Sequence, residues 1–243
     1  MDTLRRRWVS VLVGVVVAAG LAGCGVVDVR PGPVAEATPS LPAQPGRAVT
    51  VDPAAVRWAR EVLPTVAVET FPGRDSTYER DLFGQPWSDA AVGIPLARNG
   101  CDTRNDILKR DAQPATVRVK AGTRGCKVTG GVWISPYTGR RYAATSLVQI
   151  DHIVALSRSW AAGAKAWSDE RRLAFANDPD NLLAVDGASN QSKGDKGPGA
   201  WRPRRPFQCA YAVHYLRATV KYRLPITGSD RSALRSMLDS CPR

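Results

Sequence analysis

Acid and imidazole are scarce in this chain, and long apolar runs are missing. Against 34 lysines and arginines stand 22 aspartates and glutamates and two histidines, giving 243 residues a net charge of +12. No apolar stretch is long enough for a comfortable bilayer span, which excludes a polytopic membrane protein. No Cys-x-x-Cys pair occurs, which argues against the zinc knuckles that support many small folds. No internal repeat is present. What remains is the composition of a folded protein: 44% hydrophobic and 23% charged residues exclude a disordered or collagen-like chain. The basic balance favours a polyanionic partner, whether nucleic acid, anionic lipid or acidic cell-wall polymer, without choosing among them.

The first residues account for part of the base. Arg5, Arg6 and Arg7 precede Val9–Ala22, a run whose only polar member is Ser10. Its length suits the core of a signal peptide. It ends in Leu21-Ala22-Gly23-Cys24, which resembles the lipobox of bacterial lipoproteins. That resemblance implies a leader over residues 1–23, lipidation of Cys24 and an extracytoplasmic, membrane-anchored protein. The alternative is an ordinary secretory leader with an incidental Cys24. Removing the leader takes away three arginines and Asp2 and leaves +10, so the basicity belongs to the mature chain. Residues 24–51 hold Pro31, Pro33, Pro39, Pro42 and Pro45 and read as an extended tether. The single folded domain then covers residues 52–243. With Cys24 set aside, Cys101, Cys126, Cys209 and Cys241 allow two disulfides in three connectivities. Cys101–Cys126 with Cys209–Cys241 is the favoured pairing, because each pair brackets a compact stretch.

Asp52-Pro53 predicts an N-cap and first helical residue, opening a helix through Leu63. Short helices follow over Thr103–Arg110, Ser157–Lys165 and Ser168–Ala176, the last capped by Ser168 with Asp169 and Glu170 in its first turn. Pro206–Tyr222 and Ser229–Ser240 read as amphipathic helices. Alternation predicts a strand over Ala115–Lys120, and Lys127–Ile134 reads as a second, near a Pro136–Gly139 turn. The class is α+β.

Chemistry concentrates in residues 150–198. Ile150-Asp151-His152-Ile153-Val154 sets an acid and one of the two histidines among apolar neighbours, where burial is costly unless they are paired or bind something. A strand opened by Asn181 follows, and nine residues on begins Asn190-Gln191-Ser192-Lys193-Gly194-Asp195-Lys196. Each fragment alone reads as ordinary structure. Their order resembles the HNH endonucleases of the ββα-metal fold, including the HNH domain of CRISPR effector nucleases.

The resemblance implies a ββα-metal core elaborated with further helices. It implies His152 as general base, Asn181 as the residue orienting it, and Asp151 and Asn190 as ligands of one divalent metal. Oxygen ligands favour Mg²⁺ or Mn²⁺. Asn190 stands where the final histidine of the pattern would be, which predicts modest metal affinity. A narrower similarity, to secreted proteins related to the C-terminal domain of GmrSD-type restriction enzymes, rests on Tyr78–Phe83, Gly100–Asn105, Trp133 with Pro136–Gly139, Phe175–Asp178 and Asn190–Lys196 with Trp201.

Asp151 and His152 are adjacent, so an ideal strand points them to opposite faces. Both serve one site only if the backbone kinks or the metal lies beyond the strand edge. Between residues 188 and 223, eight bases oppose one acid, giving +7. Lys193, Lys196, Arg202 and Arg204 are the expected phosphate contacts, with Arg104 either a further clamp or a structural salt bridge. His214, Tyr137 and Trp133 read as ordinary packing residues. The expectation is a monomeric endonuclease cutting DNA, with RNA as a second substrate and little sequence specificity, needing no small-molecule cofactor. A catalytically silent lipoprotein holding DNA or anionic polymers on its basic surface is the alternative.

Overall fold

The computed structural model describes residues 51–71 and 75–242; the expected leader, Cys24 and all of the tether except Val51 lie outside them. Among the described residues are seven α-helices and three two-stranded antiparallel sheets, an α+β architecture.

Helix α1 (Pro53–Val62) starts as its sequence dictates, with the Asp52 carboxylate accepting from Ala54 N at 2.9 Å. Helix α2 (Thr103–Asp111) is capped by Asp102, which accepts from Asn105 N. The next segments are shorter than alternation predicts. Strand β1 (Arg118–Val119) is two residues long, and the expected single strand over Lys127–Ile134 is two, β2 (Val128–Gly130) and β3 (Trp133–Ile134). The break falls at Gly130-Gly131. A Cβ on Gly131 would meet the Trp133 indole at 2.8 Å, so only glycine fits there; β2 pairs with β1 while β3 pairs with β4 (Arg141–Tyr142).

Strand β5 (Val148–His152) pairs in register with β6 (Leu182–Asp186), from Val148 opposite Asp186 to His152 opposite Leu182. Between them lie α3 (Leu156–Ala161), which stops before Gly163 at φ 112°, and α4 (Asp169–Asn177), capped by Ser168. Helix α5 (Gly187–Lys193) leaves β6 directly, with Asp186 accepting from Ser189 N at 2.9 Å. Ser135 and Thr138 hydroxyls donate to the same carboxylate. The result is a strand–strand–helix unit.

The outer edge of β6 is covered from within the chain. Arg110 of α2 donates to the Leu182 carbonyl at 2.6 Å, and Asp111 accepts from Ala184 N at 2.8 Å. Side chains thus satisfy the β6 edge that a two-stranded sheet leaves open.

Helices α6 (Arg205–Lys221) and α7 (Gly228–Asp239) form the large apolar core with α1. Thr227 and Asp230 close a reciprocal capping box on α7. Disulfides join Cys101 to Cys126 and Cys209 to Cys241. A smaller apolar cluster, including Ile107, Trp133, Ile150 and Leu182, fills the space between α2 and the β5–β6 pair.

Candidate functional site

A cleft of about 420 Å³ lies across the C-terminal end of β5. Gln149 to His152, Ala155 to Ser157, Asn190, Arg104, Arg80 and Trp87 line it.

Strand β5 ends at His152, and the chain beyond is held by Asn181. The Asn181 side chain accepts from Val154 N at 2.8 Å and donates to Val154 O at 3.1 Å, while its carbonyl accepts from Ile153 N. Asn181 is wholly buried and does not line the cleft. It acts on the backbone just after His152.

The pleat sends Asp151 and His152 to different neighbours. Asp151 meets Tyr137 and Lys193, whereas His152 meets Ala176 and Trp87. Both still border one cleft, because it opens where the strand stops.

His152 Nε2 lies 2.8 Å from the Ala176 carbonyl. A carbonyl only accepts, so Nε2 carries the proton and Nδ1 keeps its lone pair. The Trp87 ring stacks on the imidazole at 5.8 Å and 14°. Burial holds the His152 pKa down to about 3, opposed by the Ala176 hydrogen bond and reinforced by the positive charges of Arg80 and Lys193. The ring is neutral near neutral pH, which a proton acceptor requires.

Asp151 is 5% exposed and takes two hydrogen bonds, from Tyr137 OH at 2.5 Å and Lys193 Nζ at 3.0 Å. Burial raises its pKa, and the Lys193 ammonium and Tyr137 hydroxyl work against that rise. Lys193 is the last residue of α5 and fully buried, and it also donates to the His152 carbonyl at 2.8 Å.

The expectation that Lys193 contacts phosphate is therefore corrected: its charge is consumed by a carboxylate inside the protein. The basic segment does not form one face on the cleft either. Arg202 and Lys196 are exposed and do not line it. Arg204 packs against Gly139 and donates to the Pro136 carbonyl, and Lys221 pairs with Asp178 and Asp180. The positive charge that does line the cleft comes from Arg104, which also donates to the Val148 carbonyl at 3.2 Å, and from Arg80.

Arg80, Trp87, Gln149 and the hydroxyl of Tyr137 are site features that sequence reasoning left unassigned. Arg80 sits in the Tyr78–Phe83 segment, so a signal existed for it. Trp87 had none: its placement depends on a left-handed backbone at φ 58°, strained for so large a side chain. Tyr137 is a core residue, as expected, but its hydroxyl reaches Asp151 while its ring packs edge-on against Trp201 at 4.8 Å.

The oxygen donors that border the cleft at this end of β5 are the Asp151 carboxylate and the Asn190 side-chain amide. An ammonium already occupies the space between the Asp151 carboxylate and the His152 carbonyl. Asn190 donates its amide to Gln149 Oε1 at 2.9 Å, and its side-chain oxygen has no donor among the described residues. The described residues contain no group of three or more acids, histidines or cysteines placed for a metal. Two protein oxygens supplemented by water and substrate phosphate are the usual pattern for Mg²⁺.

These features define an α+β protein with a neutral, tautomer-locked histidine beside a buried carboxylate at the end of a strand–strand–helix unit. The family model for the C-terminal domain of GmrSD restriction endonucleases matches residues 102–236, and the chain belongs to that family. An uncharacterized secreted protein of Arthroderma benhamiae is 41% identical over 144 residues, covering 58% of this chain and 68% of that protein. No solved structure matches the chain.

Proposed function

We propose that the chain is a metal-dependent endonuclease of the HNH type that hydrolyses DNA, with RNA as a second substrate, outside the cytoplasm. The observation that carries this reading is His152: a buried, neutral imidazole bordering the cleft, with Nε2 committed to Ala176 and Nδ1 keeping its lone pair. Membership of a restriction-endonuclease family supports the same reaction class.

In this reading Arg80 and Arg104 draw the phosphodiester into the cleft and offset its charge. His152 Nδ1 takes a proton from the attacking water as its oxygen bonds to phosphorus. The bond from phosphorus to the 3′ oxygen breaks, and that oxygen leaves as a hydroxyl after taking a proton from solvent. Asn181 keeps the backbone after His152 in one position throughout. Asp151 and Asn190 are the residues that would hold the dication, whose positive charge would stabilise the scissile phosphate and the departing oxygen. Contacts to phosphate rather than to base edges make for little sequence specificity.

Purified protein incubated with supercoiled plasmid is expected to give nicked and then linear DNA with Mg²⁺ or Mn²⁺, and neither with chelator. Intact plasmid under all conditions rejects the reading. Plasmid that is bound but never cut, with binding indifferent to loss of Asp151 and Asn190, identifies a silent polyanion binder instead.

The two disulfides and the secreted relative support an oxidising, extracytoplasmic setting. Lipidation at Cys24 would keep the protein at the membrane. Cys24→Ala is then expected to move the protein from the membrane fraction to the medium and abolish fatty-acid labelling. An unchanged membrane fraction rejects the anchor.

A further inference from the structure

The ammonium of Lys193 sits in a seat made of two oxygens from adjacent residues, Asp151 Oδ1 at 3.0 Å and His152 O at 2.8 Å. A fully buried ammonium is costly unless a charge answers it, and Asp151 is that charge. An anionic carboxylate oxygen and a carbonyl oxygen are also what a hard metal ion takes. Asn190 and Lys193 stand three residues apart on α5, so they share a face of that helix. One short helix therefore brings to the end of β5 both the amide oxygen suited to a metal and a positive charge opposed to one.

We propose that Lys193 and a divalent cation compete for Asp151, the ammonium being the resident counterion that metal loading must displace. This rests on the nuclease reading, since it concerns the ligands named there. A monovalent and a divalent cation sharing one carboxylate within hydrogen-bonding distance repel each other strongly in so little solvent. The lysine thus keeps Asp151 neutralised and the strand end ordered without metal, and it lowers the affinity of the site for metal by the strength of its own ion pair.

Mn²⁺ binding to the full mature protein, measured by calorimetry, tests this without any reading of cleavage. Lys193→Met is expected to bind at least tenfold more tightly than the parent, and the gain is expected to vanish in Lys193→Met/Asp151→Asn. Equal or weaker binding by Lys193→Met, or a gain that survives loss of Asp151, overturns the proposal. Should Lys193→Met fail to fold, amine labelling of the parent read by mass spectrometry decides. Lys193 is expected to be protected without metal and to label several-fold faster as Mn²⁺ is added, with the exposed Lys196 as internal reference. Protection unchanged across the Mn²⁺ titration overturns the proposal. A protein that nicks plasmid but shows neither effect loses this inference alone. One that shows them without nicking loses the nuclease reading and keeps the cation exchange.

Discussion

His152→Ala is expected to lower plasmid nicking at least a hundredfold, while the melting temperature falls by only a few degrees. A positioned general base contributes about 10²–10⁴ in rate, and His152 is the imidazole that lines the cleft. His214, the other histidine, lies half-buried on α6 and outside that lining. The stability cost is small because the buried ring is neutral: its removal opens space under Trp87 and frees the Ala176 carbonyl, but uncovers no charge. Truncations of this kind cost about 1–3 kcal/mol. Nicking by the variant at the parent rate would remove His152 from the mechanism and assign the proton transfer to another group at the cleft.

Asp151→Ala is expected to produce the opposite balance, a loss of stability large enough to obscure any activity measurement. The substitution leaves the Lys193 ammonium, fully buried, with one neutral carbonyl partner, and leaves the Tyr137 hydroxyl without its acceptor. Breaking a buried ion pair by removing one partner costs about 3–5 kcal/mol. For a domain of this size that corresponds to a fall of roughly 10 °C in melting temperature. Asp151→Asn, which keeps a hydrogen-bond acceptor, is expected to lose less. Lys193→Met/Asp151→Asn is expected to recover part of the loss, because both charges leave together. Thermal melts of the parent, Asp151→Asn, Lys193→Met and Lys193→Met/Asp151→Asn form a double-mutant cycle. A fall of less than about 2 °C for Asp151→Ala would mean that Lys193 finds solvent or another partner, and that the end of β5 is looser than its hydrogen bonds imply.

The capping residues show how far local rules reach. Asp52, Ser168 and the α6 proline announce their helices because a cap is satisfied within a few residues of itself, whatever the rest of the chain does. Strands were harder to read. Lys127–Ile134 has the composition of one strand, yet its pairing is decided by partners on either side, and Gly131 must leave room for the indole of Trp133. Likewise the expected helix over Ser157–Lys165 ends early, where Gly163 adopts a left-handed conformation.

The cluster Asp151, His152 and Asn190 was legible as an ordered set of residue types, and the fold brings all three to one cleft. The basic surface was legible only as composition. Charge counting cannot tell a lysine that meets solvent from one that meets a carboxylate 42 residues away, and Lys193 is the second kind. Of the bases expected to meet phosphate, Arg104 on α2 lines the cleft, and Arg80, from before α2, joins it there.

The sequence by itself determined the helices capped by Asp52 and Ser168, an even set of cysteines beyond Cys24, the excess of base and the identity of the chemically capable residues, because each follows from neighbours along the chain or from composition alone. Only the tertiary structure decided which nitrogen of His152 keeps its lone pair, which cation sits on Asp151 and which arginines line the cleft. Those outcomes depend on Ala176, Trp87, Tyr137 and Lys193, residues whose proximity is created by burial of a shared core and not by any spacing that a sequence displays.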